Sequence, residues 1–365
     1  MKIGIDASRL RDGATGVGRY TEGILANLEQ IMPESLFILY SRRECGFTLP
    51  SNRWIVRYEQ HPIWKLLPTT YWVHYRLANL ARSDDIDVFW APNTFIPRGL
   101  PDAVRTVATV LDFRHILEPE NMPPITLRAH RNWFESDVRR ANRVVAISEG
   151  TSKRMQDLLG RRADAIALPA VATLPRISDS LHASQILAQL GVYQPFLLTV
   201  GRSPCKNLEG AIAAVALLKS QGRLADHQLV LAGAPAWVGG RLLKKRDSAP
   251  DWIKPLGHVE DDTLSALYSL ADSLIFPSFY EGFGMPVLEA RAMGCRVITT
   301  NAPELREAGG DDATYVEPTP QGIAEGLKLV LGRPAPEIRN VGHDWSDAAK
   351  AMAAVFRSAA GINAS

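Results

Sequence analysis

Short apolar runs recur along this chain, and most are followed by a glycine-bearing turn and then by apolar positions at helical spacing. Lys2 to Ala7, Ser35 to Tyr40, Asp87 to Ala91, Thr106 to Leu111 and Arg143 to Ser148 read as buried strands. Between them lie a helical pattern ending near Leu28, a basic helix from Ile125 to Asn142, and a helix from Glu149 to Leu159 that Ser148 is placed to cap. Strands alternating with helices over the first ~170 residues predict an α/β domain built on a doubly wound parallel sheet. A proline-bearing, weakly periodic stretch from Leu168 to Ser184 reads as a linker. A second series follows, with strands at Phe196–Val200, Gln228–Ala232, Ile253–Leu256, Ser273–Phe276 and Cys295–Thr300. Helices are expected at Leu208–Lys219, Asp262–Ala271 and Pro286–Met293, with a last helix from about Asp344.

Length agrees with two domains, since 365 residues exceed one typical core. The net charge of +2 gives no reason to expect a nucleic-acid binder. Cys45, Cys205 and Cys295 are far apart and odd in number, with no zinc spacing and no disulfide framework, which points to a reducing compartment. The opening Met-Lys-Ile-Gly-Ile-Asp reads as a strand and not as a signal peptide, and no run of about 18 apolar residues occurs. A cytoplasmic protein is expected.

Three loops carry candidate chemistry. The strand ending at Phe276 runs into Pro277-Ser278-Phe279-Tyr280-Glu281-Gly282-Phe283-Gly284-Met285-Pro286-Val287-Leu288-Glu289. Its glycines permit a tight turn, Pro286 suits a first helical position, and the free amides of a helix start bind anions. Two carboxylates, Glu281 and Glu289, flank that turn, an arrangement that fits a sugar nucleotide; a capped helix with two solvated glutamates is the plainer reading. The strand ending at Val200 is followed by Gly201-Arg202-Ser203-Pro204-Cys205-Lys206-Asn207. A guanidinium and an ammonium between strand and helix suit a diphosphate. The strand ending at Leu111 is followed by Asp112-Phe113-Arg114-His115, where strand ends of open α/β sheets meet ligands. The first loop, with Gly16-Val17-Gly18, lacks the third glycine of a dinucleotide fingerprint, so no nicotinamide cofactor is expected, and a structural turn explains Gly13 equally well. Between Arg53 and Arg82, Trp54, Tyr58, Trp64, Tyr71, Trp72 and Tyr75 interleave with Arg53, Arg57, Lys65, Arg76 and Arg82. Either an anionic membrane surface or a buried aromatic core accounts for that stretch.

The paired glutamates with seven residues between them, in Ser-x-Tyr-Glu-Gly-Phe-Gly-Met-Pro-Val-Leu-Glu-Ala, resemble the motif of retaining glycosyltransferases of family 4. Gly201-Arg202 with Lys206-Asn207, the loop Gly257-His258-Val259, the stretch Asn301 to Glu307 and the opening Gly4-Ile5-Asp6-Ala7-Ser8-Arg9 are similar to the same family. The resemblance implies the GT-B fold: two Rossmann-like domains facing a cleft, with the C-terminal helix crossing back to the first. It makes residues 1–172, joined by the helix at about 345–365, the acceptor domain, and residues 185–344 the donor domain. It also places Gly16, Gly18, Arg202, Lys206, His258, Val259, Glu281, Gly282, Phe283, Gly284, Met285, Leu288 and Glu289 around a nucleoside-diphosphate sugar. Arg202 and Lys206 then hold the diphosphate, Glu281 faces the sugar and Glu289 the ribose.

Resemblance to bacterial mannosyltransferases of surface-polysaccharide assembly makes GDP-mannose the expected donor. The expected acceptor is a glycan or a saccharide on polyprenyl diphosphate, with the enzyme peripheral on the cytoplasmic face of the inner membrane. No Asp-x-Asp pair is placed to hold a metal, so cofactor-free, metal-independent transfer is expected. The chain departs from its relatives at Leu111, where many carry a histidine before the aspartate. Asp112 and His115 are the candidates to replace it. A sugar-nucleotide epimerase and a non-catalytic sugar-nucleotide binder remain the alternative functions.

Overall fold

The computed structural model describes residues 1–10, 16–171, 174, 179–201, 203–233, 250–334, 336 and 344–362. It contains two compact units, Met1–Ala170 with His343–Ser365, and Val171–Gly342. No helix among the described residues is long and apolar enough to cross a membrane.

The first unit holds a sheet of seven strands among the described residues, in the order β3-β2-β1-β4-β5-β6-β7, every pair parallel. The strands are β1 (Lys2–Asp6), β2 (Leu36–Ser41), β3 (Trp54–Tyr58), β4 (Val88–Ala91), β5 (Arg105–Val110), β6 (Arg143–Ala146) and β7 (Ala165–Ile166). Central strands such as β4 are buried throughout, which is why they are continuous apolar runs in the sequence. The helix Trp345–Ala359 packs on the helix Gly16–Ile31. A Cβ on Gly23 would lie 2.3 Å from the Trp345 ring, so only glycine permits that approach. Phe356 meets Trp90 edge-on at 5.7 Å, and Arg357 Nη2 donates to the Ile31 carbonyl.

The Arg53–Arg82 stretch differs from either single expectation. It opens as the edge strand β3, and it continues as short helical segments from Pro62 to Ala81. Trp54 and Trp72 are core residues. Glu59 is fully buried and accepts from Trp72 Nε1 at 3.0 Å, from Arg76 Nε at 2.9 Å and from the His61 amide at 2.9 Å. Burial pushes this carboxyl up, but these partners outweigh it and its pKa lies below the usual range. Arg57 pairs with Asp84 at 2.8 Å, and Arg53 pairs with Glu29 at 2.6 Å. Three of the basic residues expected at a membrane are therefore internal ion-pair partners. The exposed side chains of the stretch include the apolar Ile63 (53% exposed), Leu66 (84%) and Tyr75 (52%) beside Arg57 and Arg82.

The second unit has six strands among the described residues, in the order β10-β9-β8-β11-β12-β13. They are β8 (Phe196–Val200), β9 (Gln228–Ala232), β10 (Ile253–Gly257), β11 (Ser273–Phe276), β12 (Val297–Thr300) and β13 (Thr314–Val316). Leu197, Leu229, Leu231, Ile275 and Ile298 form its core with the helices Leu208–Ser220 and Pro320–Leu331. The expected linker is corrected at its end: a helix, Ser180–Gln189, starts inside it, with Asp179 Oδ1 accepting from the Leu181 amide at 2.8 Å.

Candidate functional site

From β8 the chain moves outward to β9 and β10, then returns to the other side of β8 as β11. Strand order reverses there, so the loops leaving β8 and β11 lie side by side at the carboxyl edge, where such sheets bind ligands. The Phe279 amide donates to the Cys205 carbonyl at 2.9 Å and ties the two loops together.

The first loop is shaped by Gly201 (φ +114°) and Asn207 (φ +53°). A Cβ on Gly201 would meet Lys206 Cγ at 3.2 Å, so the glycine leaves room for the lysine stem. Asn207 Oδ1 accepts from the Gly210 amide and caps the helix Leu208–Ser220, while its Nδ2 donates to the Pro318 carbonyl at 2.9 Å. Lys206 is thereby aimed at the second loop. Its Nζ forms an ion pair with Glu281 Oε1 and lies 4.6 Å over the Phe276 ring. Ser278, fully buried, donates its hydroxyl to the same carboxylate oxygen at 2.7 Å. Arg202, expected beside Lys206, lies outside the described residues.

The second loop ends at Gly284 (φ +103°), where a Cβ would strike Leu305 at 2.6 Å. Met285 then opens the helix Met285–Ala292 with Pro286 in its first turn. Gly282 is half-buried before that start, and Phe283 and Leu288 are buried in the unit. Glu289 is 4% exposed, and its Oε2 accepts from Tyr268 Oη at 2.9 Å. Its carboxylate is thus held inside the unit, in contrast to the half-buried Glu281.

Along the same edge, Gly233 approaches Gly201 and donates to the Gly257 carbonyl, so the ends of β8, β9 and β10 are in line. His258 and Val259 follow Gly257. His258 is exposed, with Nε2 3.8 Å from Glu260, which is the geometry of a surface imidazole. No group of three or more His, Cys, Asp or Glu side chains among the described residues is placed to hold a metal ion.

In the first unit, Gly16 and Gly18 begin the helix Gly16–Ile31, Gly16 exposed and Gly18 buried. Asp112 Oδ1 accepts from the Arg114 amide at 3.0 Å and turns the chain into the short helix Arg114–Leu117. That helix carries His115, a candidate for the place of the missing histidine, into the interior of the unit. The ring is 6% exposed and stands 4.2 Å from Phe134 and 5.2 Å from His130. Burial pushes its pKa down to about 4.

Sequence reasoning gave no role to Ser278, Phe276 or Tyr268. Ser278 stood within the recognised motif and was accessible to inspection. Phe276 read only as strand, and Tyr268 meets Glu289 across 21 residues with no local signal.

Residues 194–333 match the family described as Glycosyl transferases group 1. The O-antigen chain mannosyltransferase B of Escherichia coli is 30% identical over 238 residues, covering 63% of this chain and 61% of that protein. The match thus spans about three fifths of the length of that relative. Among solved structures, WaaG, a glycosyltransferase involved in lipopolysaccharide biosynthesis, superposes with a TM-score of 0.66 at 16% identity over 99% of both chains. Anabaena HepE in complex with UDP-glucose superposes with a TM-score of 0.62 at 19% identity, covering 99% of this chain and 96% of that one. These likenesses show the fold, the two parallel-sheet α/β domains of the GT-B glycosyltransferases. Residues 194–333, which carry the Lys206–Glu281 pair and Glu289, are a domain of the glycosyl transferases group 1 family.

Proposed function

We propose that this protein is a retaining mannosyltransferase that takes its sugar from GDP-mannose and gives it to a glycan or a polyprenyl-diphosphate-linked saccharide. The observation that carries the reading is the Lys206–Glu281 pair at the point of strand reversal, on loops that match the group 1 domain. The relative named as an O-antigen mannosyltransferase supports the choice of sugar.

On this reading Lys206, with Arg202, faces the departing diphosphate. Glu281 holds the ammonium in place and presents its remaining oxygen to the sugar. The acceptor hydroxyl attacks the anomeric carbon on the face from which the diphosphate leaves. A C–O bond forms as the C–O bond to phosphate breaks, and the proton passes to the leaving diphosphate. Asp112 is the alternative base. The developing negative charge is met by Lys206 and Arg202, so transfer proceeds without a divalent cation and persists in EDTA. Glu289, fixed by Tyr268, orients the nucleotide. A cytoplasmic enzyme touching the inner membrane through Ile63 and Leu66 completes the proposal.

A panel of nucleotide sugars, assayed for donor hydrolysis and for transfer, tests it. GDP-mannose should be turned over at least tenfold faster than UDP-glucose. Turnover to an epimer, or binding without any turnover, would establish one of the two alternative functions.

A further inference from the structure

The loop that leaves β11 is fastened on both sides before it reaches Glu281. On one side the Phe279 amide donates to the Cys205 carbonyl of the β8 loop at 2.9 Å. On the other, Thr300 at the end of β12 donates its hydroxyl to the Ser278 carbonyl at 2.6 Å. β11 and β12 are parallel neighbours, so this second tie joins adjacent strand ends. Ser278 is fully buried and Thr300 is 6% exposed, which keeps bulk water from these contacts. With its backbone fixed in this way, Ser278 donates its own hydroxyl to Glu281 Oε1 at 2.7 Å. Lys206 Nζ pairs with the same oxygen.

The two partners of that oxygen differ in kind. Lys206 carries a point charge on a flexible stem, and an arriving diphosphate draws an ammonium toward itself. Ser278 is neutral and buried, and its place is set by the two backbone ties. A carboxylate that lost its only donor would be free to change rotamer, and misplacing a reacting group by about 1 Å costs on the order of 10²-fold in rate. We infer that Ser278 is a positioning residue that holds Glu281 in place when Lys206 turns to the diphosphate of the donor, with Thr300 holding Ser278 in turn. The inference rests on the glycosyltransferase reading and deepens it, because it assigns the hold on Glu281 in the donor-bound state to a neutral hydroxyl. Loss of that hydroxyl therefore falls on turnover and spares donor binding.

Hydrolysis of GDP-mannose by the full chain tests it. Ser278→Ala should lower kcat at least tenfold and leave KM within twofold. Added to Glu281→Gln it should have no further effect, since it acts through that carboxylate. Ser278→Thr and Ser278→Val add similar bulk and differ by one hydroxyl, so kcat of the threonine variant should be at least tenfold the higher. Equal kcat in that pair, a rise in KM that accounts for the whole loss, or simple multiplication of the Ser278→Ala and Glu281→Gln effects overturns the proposal. A second readout needs no turnover and no ligand. Lys206→Ala removes the ammonium outright. The NMR signal of the Glu281 carboxyl carbon, identified by its disappearance in Glu281→Gln, should stay apart from those of the exposed glutamates in Lys206→Ala and merge with them once Ser278→Ala is added. A signal that has already merged in Lys206→Ala, or that stays apart without the serine, shows that Ser278 does not hold the carboxylate. A wild-type chain that hydrolyses no nucleotide sugar would sink the glycosyltransferase reading, and the carboxyl signal would then decide the place of Ser278 by itself.

Discussion

Lys206 and Glu281, 75 residues apart in the chain, form an ion pair that Ser278 extends through the same carboxylate oxygen. A cation expected to serve one substrate group and an anion expected to serve another are thus a single charged unit before any ligand arrives. Residues in one network do not contribute additively. Lys206→Ala and Glu281→Ala should each lower kcat/KM more than tenfold, and the double variant should be little worse than the poorer single one. Steady-state kinetics of the three variants checks this; simple multiplication of the single effects would show that the two act independently.

Glu289 and Tyr268 set the second prediction. Removing the hydroxyl leaves a buried carboxylate short of one partner, at a cost of about 1–3 kcal/mol. Tyr268→Phe should lower the melting temperature, and should weaken free nucleoside diphosphate as well as donor. Glu281→Ala should harm transfer more than nucleotide binding. Calorimetry with GDP on Tyr268→Phe, Glu281→Ala and Glu289→Ala separates the roles.

At the end of β5, Asp112 and His115 diverge in exposure and so in expected effect. Asp112→Asn should cost more than tenfold in turnover, or over about 1.4 kcal/mol of barrier. His115→Ala should cost less in turnover but more in stability, because it empties a site packed against Phe134 and His130. An Asp112→Asn protein that melts normally and turns over at the wild-type rate removes Asp112 from the reaction.

Membrane attachment, if it runs through the Pro62–Leu66 segment, depends on exposed apolar side chains and not on the arginines nearby. Leu66→Ser with Ile63→Ser should reduce flotation with acidic liposomes and leave the melting temperature unchanged. Arg76→Ala should instead unfold the region, since a buried pair broken on one side costs about 3–5 kcal/mol. Normal flotation of the serine variant would refute this attachment.

Acid should destabilise the first unit. Burial pushes His74 down to about 4, His115 to about 4 and His130 to about 3, from an ordinary 6.5. The unfolded chain therefore takes up more protons than the folded one between pH 6.5 and 4, and stability falls as pH falls through that window. Asp137, 3.1 Å from His74, is pushed up to about 6, and burial raises the Asp6 and Glu118 carboxyls as well, so these acids oppose the imidazoles over the lower part of the range. Thermal melts from pH 7 to 4.5 should show a falling midpoint, with a shallower fall in His115→Gln. A flat profile would mean that these rings are solvated.

The strands and turns of the second unit were legible because parallel strands buried on both faces are unbroken apolar runs, and Gly201, Gly284 and Pro286 punctuate them. β3 was not, because an edge strand with Trp54 buried and Arg57 and Tyr58 exposed has no clean period. The helix Ser180–Gln189 was masked by the proline-bearing stretch before it. Within the site, the loops and the two glutamates were readable. The salt link between Lys206 and Glu281 was not, since it exists only once β8 and β11 pair. The inward turn of His115 likewise depends on Phe134 and His130, both on a helix that packs later in the chain order.

The seating of Trp345 against Gly23 and of Phe356 against Trp90 has a consequence for biosynthesis. A ribosome delivers residues 1–170 long before residues 345–359, so the first unit emerges with its helix-docking face bare and must wait for the whole second unit to be made. Residues 171–342 are contiguous and can fold as they appear. The second unit should therefore be obtainable alone, whereas a chain halted before Trp345 should expose the face that carries Gly23 and Trp90 to chaperones. Arrival of the helix Trp345–Ala359, rather than completion of the first sheet, sets the moment at which the first unit is closed.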